Sequence, residues 1–416
     1  VREKEVARMG LRMREKRAVT EATKKRYKGA RKREKGRILD EFVQLTGYTR
    51  CYASHVLRDL HKRRRAVPRK RKRIYGEEVC SALTRIWYIC DCICGKRLAP
   101  YLEEIVSVLE RHGELLLEEE VRAKVVRMSA ATVDRMLGKE KAKFSLKGKA
   151  RTKPGTLLKS QVPIRTFAEW DEKKPGFVEV DLVGHDGGDT RGDYAQTLDV
   201  TDVCTGWTET QAVKNKAQVW VFEALKGIRN RLPFALLGID SDNGSEFINH
   251  HLVRYCEREK LTFTKTRSYR KNDNCYVEQK NYSVVRRNVG YARYETESAL
   301  KILNTLYASS NPYTNFFQPV MKLMEKTRSG SRVTKRHDRA RTPYQRVLES
   351  PCISEEEKEM LRDLYLQLNP VALKREITRL QGKLMEEEVR PTRSRSHPSR
   401  GHRTDLVYNV TKRVLR

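Results

Sequence analysis

Apolar positions along the chain follow two different periods. Up to about residue 140 they recur at helical spacing, as at Ile38, Leu39 and Phe42. Later, short apolar runs of strand length alternate with helical segments. This pattern predicts a mixed α/β region of three strands, a helix, a strand, a helix, a strand and a helix. These segments are 177–183, 194–200, 207–213, 218–231, 236–241, 245–260, 261–264 and 275–290.

Changes in period, together with Pro- and Gly-containing stretches, divide the chain into five predicted regions. They are a basic arm with a helix-turn-helix, a second helical domain, a basic linker, an α/β core, and a basic helical C-terminal region with a disordered tail. Their bounds are 1–73, 74–138, 139–170, 171–310 and 311–416. The second domain has a predicted layout similar to that of the first. It is compatible with a second DNA-binding unit and with a subdomain that only packs against the rest of the chain.

The helix-turn-helix prediction rests on two short amphipathic segments separated by Thr46-Gly47-Tyr48. A helix over about 49–60 would bury its apolar residues and turn a polar face outward. An ordinary helical hairpin is the alternative, and the neighbouring basic runs favour DNA binding. The residues predicted to contact DNA here are Arg50, Tyr52, Ser54, Arg58, Arg63, Arg64 and Arg65.

The charge of the 416-residue chain indicates a protein that binds a polyanion, which the apolar pattern alone does not reveal. The formal net charge is +33, and residues 1–75 hold 27 Lys and Arg against 8 Asp and Glu. Such surfaces bind phosphate backbones through counterion release. No apolar stretch reaches the ~18 residues of a membrane-spanning helix, and no secretory leader is visible. With nine scattered cysteines, we expect a reducing compartment such as the cytoplasm.

Three acids in the α/β region are candidates for chemistry. Asp181 interrupts an apolar strand, Asp242 follows another strand, and Glu278 lies near the start of a helix, with 35 residues between the last two. Carboxylates at strand ends can converge on two Mg²⁺ or Mn²⁺ ions about 3.5–4 Å apart. Hard oxygen ligands favour these ions over zinc.

The sequence around these acids resembles the retroviral-integrase-like DDE transposases of bacterial insertion sequences. The resemblance is carried by VEVD at 178–181, SDNGSEF at 241–247 and KNDNCYVEQKN at 271–281. Weaker similarity is found in KGRILDEFVQLTGY at 35–48 and TPYQRVL at 342–348. The zinc-binding His-His-Cys-Cys module of retroviral integrases is absent from the sequence, and a helical DNA-binding region takes its place.

The resemblance implies an RNase H-like core, with a mixed five-stranded sheet and flanking helices, that cleaves and joins DNA strands. Asp181, Asp242 and Glu278 would be the catalytic metal ligands, with Asn243 and Gly244 shaping the turn at Asp242. Lys280, Asn281 and Arg286 would contact DNA, although the two cations are also compatible with solvated surface charges. The implied partners are double-stranded DNA, as terminal repeats and target, and further copies of the chain in a dimer or larger synapse.

Other acids and other functions compete with this interpretation. Asp199, Asp202 and Asp240 lie near strand ends, whereas Asp186 and Asp189 are expected to be solvated or to cap turns. His185 is expected to be an ordinary loop histidine. A DNA-binding regulator without catalytic activity and an RNase H-like nuclease remain the alternative functions.

Overall fold

The computed structural model of the chain describes residues 11–58, 74–143, 174–241, 250–265 and 275–387. Two compact units are present, Val1–Ile74 and Tyr75–Arg416. In the described residues, no helix is long and apolar enough to cross a membrane.

The first unit contains three helices, α1 Met13–Gly29, α2 Lys32–Thr46 and α3 Arg50–Leu57. Apolar side chains from all three helices form its core, namely Tyr27, Ile38, Leu39, Phe42, Ala53 and Leu57. Gly47 ends α2 with a φ of 67°, a left-handed conformation that glycine adopts without strain. Thr49 then caps α3 by accepting from the backbone of Tyr52. The predicted pair of helices around a glycine turn is therefore present.

The second unit begins with short helices, α4 to α9, which span Glu77–Ile89, Gly95–Leu98, Leu102–Arg111, Glu119–Val126, Ala130–Met136 and Gly138–Lys143. Ser129 is the N-cap of α8 and accepts a hydrogen bond from the backbone N–H of Thr132. Tyr101 lies in a 3₁₀ turn that leads into α6.

Five described strands form the predicted mixed sheet. They are β1 Phe177–Gly184, β2 Gln196–Asp202, β3 Thr208–Val213, β4 Gly238–Ser241 and β5 Thr262–Lys265. Their order across the sheet is β3-β2-β1-β4-β5. The first three strands pair antiparallel, whereas β1–β4 and β4–β5 pair parallel.

Helices lie on both faces of this sheet. On one face, α10 Gln218–Arg229 and α11 His250–Arg258 pack on valine, leucine and isoleucine side chains of the strands. The other face meets a helical segment that begins as α12 Cys275–Lys280, continues as a π-helical turn over Asn281–Arg286 and ends as α13 Arg287–Val289. The predicted helix 275–290 is therefore a helix with a π turn inside it.

The long helix α14, Glu297–Phe317, covers the free edge of strand β3. Three of its asparagine side chains bond to the outward backbone groups of the strand: Asn315 with Thr208, Asn311 with Thr210, and Asn304 with Ala212. Covering an edge in this way prevents it from pairing with another chain. The helix runs across residue 310, where the sequence pattern placed a domain boundary.

The C-terminal region contains the hairpin β6 Leu323–Ser329 and β7 Arg332–His337, followed by α15 Pro343–Glu349, α16 Glu355–Gln367 and α17 Pro370–Glu386. The sequence predicted a mostly helical region with a turn-rich stretch over 327–341 and no strands. The hairpin was missed because a stretch rich in charge and turn residues has no apolar period that would reveal strands.

The N-terminal helices of this unit and its C-terminal helices share one hydrophobic core. Trp87 of α4 and Phe316 of α14 belong to it, together with Tyr344 of α15 and Val371 of α17. Asp91, beyond α4, is ion-paired at 2.9 Å to both Arg287 and Lys374. The segment predicted as a second domain is thus packed into the same unit as the sheet, since its apolar faces are buried by residues more than 170 positions away.

Candidate active site

Acidic side chains share one face of the central strands. Glu179 and Asp181 are two positions apart on β1 and therefore point to the same side of the sheet. Asp199 of β2 is paired directly with Asp181, and Asp240 of β4 is paired with Glu179. In the sequence, Asp240 competed with Asp242 for a place on one strand face, and Asp199 flanked the end of another strand. The register makes Asp199 a neighbour of Asp181 and Asp240 a neighbour of Glu179 on the same sheet face.

Asp181 is held from two sides while remaining partly open to solvent. One carboxylate oxygen accepts from the backbone N–H of Leu182 at 2.8 Å, and the other accepts from Nδ2 of Asn281 at 2.6 Å. The side chain is half-buried. A partly accessible carboxylate on a central strand is suited to bind a cation.

Glu278 is exposed on α12, three residues before Asn281. Residues three apart lie on the same side of a helix. The bond between Asn281 and Asp181 therefore turns the Glu278 face of the helix toward β1. Two of the three acids predicted from sequence are thus carried by elements in direct contact.

A second link joins β1 to the start of the same helix. Oε2 of Glu179 accepts from the backbone N–H groups of Tyr276 and Val277, both at 2.9 Å. Burial raises the pKa of Glu179 to about 8, although the two N–H bonds act in the opposite direction. Glu179 was not singled out from sequence, and the available signal was an acid two positions before Asp181 on the same strand face.

Lys280 is buried, which corrects the DNA contact predicted for it. Its ammonium donates to the carbonyl of Gly206 at 3.2 Å, and burial lowers its pKa although the charge of Asp199 raises it. Burial likewise raises the pKa of Asp199, while the charge of Lys280 lowers it. Lys280 is therefore an internal group whose charge acts on the pKa of Asp199, the acid beside Asp181. The sequence pattern could not show this, because a lysine on a polar helix face is normally solvated.

Asn281 is the first residue of the π turn and Arg286 is the last. Both side chains make contacts within the chain. Arg286 is half-buried and donates to the carbonyls of Gly184 at 2.9 Å and Gly290 at 3.3 Å. Its guanidinium also lies 4.7 Å from the ring centroid of Tyr291. Both residues thus position the helix against β1, and a contact of either one with DNA remains a prediction.

Asp242, Asn243 and Gly244 lie outside the described residues. The last described residue of β4, Ser241, is paired with Val180 of β1. Among the residues that the structure describes, no group of three His, Cys, Asp or Glu side chains is placed to hold a metal ion.

Two further acids have structural roles in turns. Asp202 is buried, accepts from the backbone of Gly176 at 2.8 Å and of Thr205 at 2.6 Å, and thus stabilises the turn after β2. Asp189 bonds to the backbone and guanidinium of Arg191, as expected for a turn-capping residue.

His185 lies in the loop directly after β1, as expected, and its side chain is buried. Its Nε2 lies 2.7 Å from Oγ1 of Thr197, which in turn lies 2.7 Å from the hydroxyl of Tyr307. Burial, together with the charge of Arg286, lowers the pKa of His185 to about 3. The imidazole is therefore neutral near pH 7 and serves packing.

The residues predicted to read DNA in the first unit lie on or after α3. Arg50, Tyr52 and Arg58 are exposed, and Ser54 is half-buried. Arg50 forms an ion pair with Asp40 of α2. Arg63, Arg64 and Arg65 lie outside the described residues, and DNA contact remains a prediction for the whole set.

Comparison with known proteins gives one extensive sequence relative. The uncharacterized protein y4rM of Sinorhizobium fredii (strain NBRC 101917 / NGR234) is 42% identical over 321 residues, which cover 77% of this chain and 91% of y4rM. No protein-family model matches the chain.

Solved structures that resemble the chain include integrase catalytic cores. The catalytic core domain of BIV integrase is 16% identical, covers 42% of this chain and 95% of its own, and has a TM-score of 0.29. The HTLV-2 integrase catalytic core domain in complex with magnesium, in its dimeric form, is 13% identical, with coverages of 35% and 90% and a TM-score of 0.27.

Proposed function

This chain belongs to the same family as the Sinorhizobium fredii protein y4rM, and we propose that it is a DDE-type polynucleotidyl transferase. In this proposal it binds the ends of a mobile DNA element, cleaves them and joins them to target DNA. The observation that carries the proposal is the Asp181–Asn281 hydrogen bond of 2.6 Å. It brings the helix face of Glu278 to the strand of Asp181, as a shared metal site requires.

The third ligand in this proposal is Asp242, which directly follows Ser241 in the sequence. Ser241 is the last described residue of β4 and is paired with Val180, the residue before Asp181. The DNG sequence after Ser241 and the spacing to Glu278 support this assignment.

The chemistry around Asp181 fits a divalent cation. Three nearby buried oxygens have no hydrogen-bond partner among the described residues: Oε1 of Glu179, Oδ2 of Asp199 and Oδ1 of Asn281. Unpartnered buried oxygens are commonly satisfied by an ordered water or an ion, and oxygen donors suit Mg²⁺ or Mn²⁺. Bound ions of this kind activate a water or a 3′-hydroxyl and stabilise the leaving oxygen of a phosphodiester.

The chain's own residues would prepare this reaction. Asp181, Asp242 and Glu278 would hold the ions, and Asn281 would keep the Asp181 carboxylate oriented. Glu179 would fix the start of the Glu278 helix through its two backbone hydrogen bonds.

The substrate proposed is duplex DNA, and the support for it is charge. The net charge of +33 is concentrated at the N-terminus, which also carries the helix pair with exposed Arg50, Tyr52 and Arg58. Two DNA ends must meet during joining, so we further propose that a dimer or larger assembly acts.

The test is a strand-cleavage and joining assay on the DNA ends that flank the gene. Wild type would be compared in Mg²⁺, Mn²⁺ and EDTA with Asp181→Asn, Glu278→Gln and the matched control Glu297→Gln, an exposed glutamate on α14. We expect metal-dependent cleavage that both site variants reduce by at least about 100-fold, or about 2.7 kcal/mol in the barrier. DNA binding should persist.

Two results would contradict the proposal. End-specific binding by wild type without cleavage in either metal would favour a regulator that only binds DNA. Cleavage of RNA or branched substrates with no preference for the ends would favour an RNase H-like nuclease.

A further inference from the structure

The hairpin 323–337 is a ribbon that leaves both of its faces in solvent. All side chains described on it are exposed, including the apolar Leu323, Met324 and Val333. A two-stranded ribbon that buries neither face is only marginally stable alone. Its pairing is regular from Glu325 to Ser329, after an irregularity between Leu323 and Glu325, and burial among the described residues does not explain it.

The charge of the ribbon is strongly positive. Residues 323–337 contain five Lys and Arg and a single acid, Glu325, which is already paired with Arg336 at 3.5 Å. Lys326 and Lys335 are directly opposite in register. Like charges at opposed positions destabilise a β pair, and a polyanion placed along the ribbon would reverse this effect.

The base of the ribbon is fixed to the rest of the unit. Val320 and Arg341 exchange two backbone hydrogen bonds, and Asp338 accepts from the backbone of Lys322 at 2.6 Å and from Arg346 at 2.7 Å. The ribbon is therefore held at one end and free at the other.

The base of the ribbon also contacts residues next to the candidate active site. The ammonium of Lys322 donates to the carbonyls of Val203 and Cys204 at 2.6 and 2.5 Å, and lies 5.7 Å from the ring centroid of Tyr276. Tyr276 is two residues before Glu278 on α12. A DNA duplex bound at Glu278 would therefore pass near the base of the ribbon.

The dimensions of the ribbon match a groove of duplex DNA. Gly330, with a φ of 59°, is the first of two loop residues, so the turn is tight and the two strands stay side by side. Six paired residues extend about 20 Å at 3.4 Å per residue. The major groove of B-DNA is about 12 Å wide and admits such a two-stranded ribbon.

We propose that the ribbon 323–337 is a DNA-binding arm that lies along a groove of the duplex engaged at the active site. Its exposed cations Arg328, Lys335 and Arg336 contact backbone phosphates. This inference rests on the proposed function, because it names a second contact surface for the same DNA.

The first test compares two triple variants of the full chain. Arg328→Gln/Lys335→Gln/Arg336→Gln removes three ribbon cations, and Lys226→Gln/Lys301→Gln/Arg379→Gln removes three exposed cations from α10, α14 and α17. Dissociation constants for a duplex of about 40 base pairs would be measured from 50 to 200 mM salt. Each lost phosphate contact lowers the slope of log affinity against log salt by about 0.9.

We expect the ribbon variant to lose about 2 to 3 from that slope and to bind at least tenfold more weakly at low salt. The control should keep the wild-type slope. An unchanged slope in the ribbon variant would overturn the inference. An unchanged slope together with a changed oligomeric state by light scattering would also overturn it, and would assign the ribbon to contacts between copies of the chain.

In a second variant, residues 324–336 are replaced by a short Gly-Ser turn. This variant tests whether weaker DNA binding comes from the missing ribbon or from unfolding of the chain. Its thermal unfolding should match wild type, since the ribbon buries no core. Its hydroxyl-radical footprint on DNA should be shorter, and an unshortened footprint would count against the arm. These binding measurements do not require cleavage. If the wild type binds DNA but never cleaves it, the proposed enzymatic function is wrong, and the same measurements still decide whether the ribbon binds DNA.

Discussion

Asp181 and Asn281 are a hundred positions apart in the sequence and are joined by a hydrogen bond of 2.6 Å. Together with the two backbone bonds of Glu179, this bond fixes the start of the Glu278 helix against β1. The arrangement of the candidate site therefore depends on a neutral side chain as well as on its acids.

The first prediction concerns this neutral side chain. Asn281→Ala should reduce DNA cleavage by about 10- to 100-fold, because small displacements of a catalytic group are costly. Global stability should fall by only about 1 kcal/mol, the value of one hydrogen bond. Single-turnover cleavage over a range of Mg²⁺ concentrations, with urea unfolding in parallel, would measure both. Gln279→Ala, at the exposed neighbour on the same helix, is the control and should behave as wild type.

The second prediction concerns the buried histidine. Because the pKa of His185 is lowered to about 3, the unfolded chain binds a proton between about pH 6.5 and pH 3 that the folded chain excludes. The stabilisation that comes from keeping His185 neutral is therefore fully present above pH 6.5. It is lost from the free energy of unfolding as the pH falls. Between pH 7 and pH 4.5 this amounts to about 2 to 3 kcal/mol.

His185→Gln removes this titration while retaining a side chain that can bond to Thr197. The variant should show a flatter dependence of unfolding free energy on pH, measured by urea unfolding in EDTA from pH 4.5 to 7. A wild-type slope in the variant would mean that other groups cause the acid sensitivity.

The third prediction concerns the covered strand edge. Asn311 bonds to the backbone N–H and C=O of Thr210 and to Glu209. Asn311→Ala leaves these buried groups without their partner and should lower the free energy of unfolding by about 2 to 3 kcal/mol. The exposed Thr305→Ala on the same helix should change it by less than about 0.5 kcal/mol. Equal effects of the two changes in urea unfolding would show that the asparagine bonds contribute little.

The fourth prediction concerns the ion-paired junction at Asp91. Burial alone raises the pKa of this carboxyl, but the nearby charges of Arg287 and Lys374 hold it below its usual value. Lys374→Met should therefore destabilise the chain by about 3 kcal/mol, because a buried charge loses one of its partners. Asp91→Asn/Lys374→Met should cost less than the sum of its single changes, since the asparagine needs no counter-charge and tolerates the positive φ of 58°. Strict additivity in this double-mutant cycle would rule out the coupling.

Much of the α/β core was predictable from local pattern. The order of strands and helices, and the mixed sheet implied by the resemblance, are present in the structure. Their ends differ by a few residues, as for β2, predicted over 194–200 and found over Gln196–Asp202. Strand ends depend on pairing partners, which periodicity does not contain.

The C-terminal region was predicted less well, for two physical reasons. The hairpin buries no face, so it has no alternating apolar pattern to reveal it. The division at residue 310 falls inside α14, which packs on the sheet through apolar side chains and also through asparagine amides on a strand edge. Such bonding has no sequence period.

The sequence by itself determined the net charge, the succession of elements, and the spacing of Asp181, Asp242 and Glu278, since these depend on residue identity and local periodicity. Only the tertiary structure decided that Lys280 is buried and bonded to the carbonyl of Gly206, and that Asn281 bonds to Asp181. Burial and pairing are set by residues distant in the chain. The same polar residue is therefore a surface group or an internal one according to what packs over it.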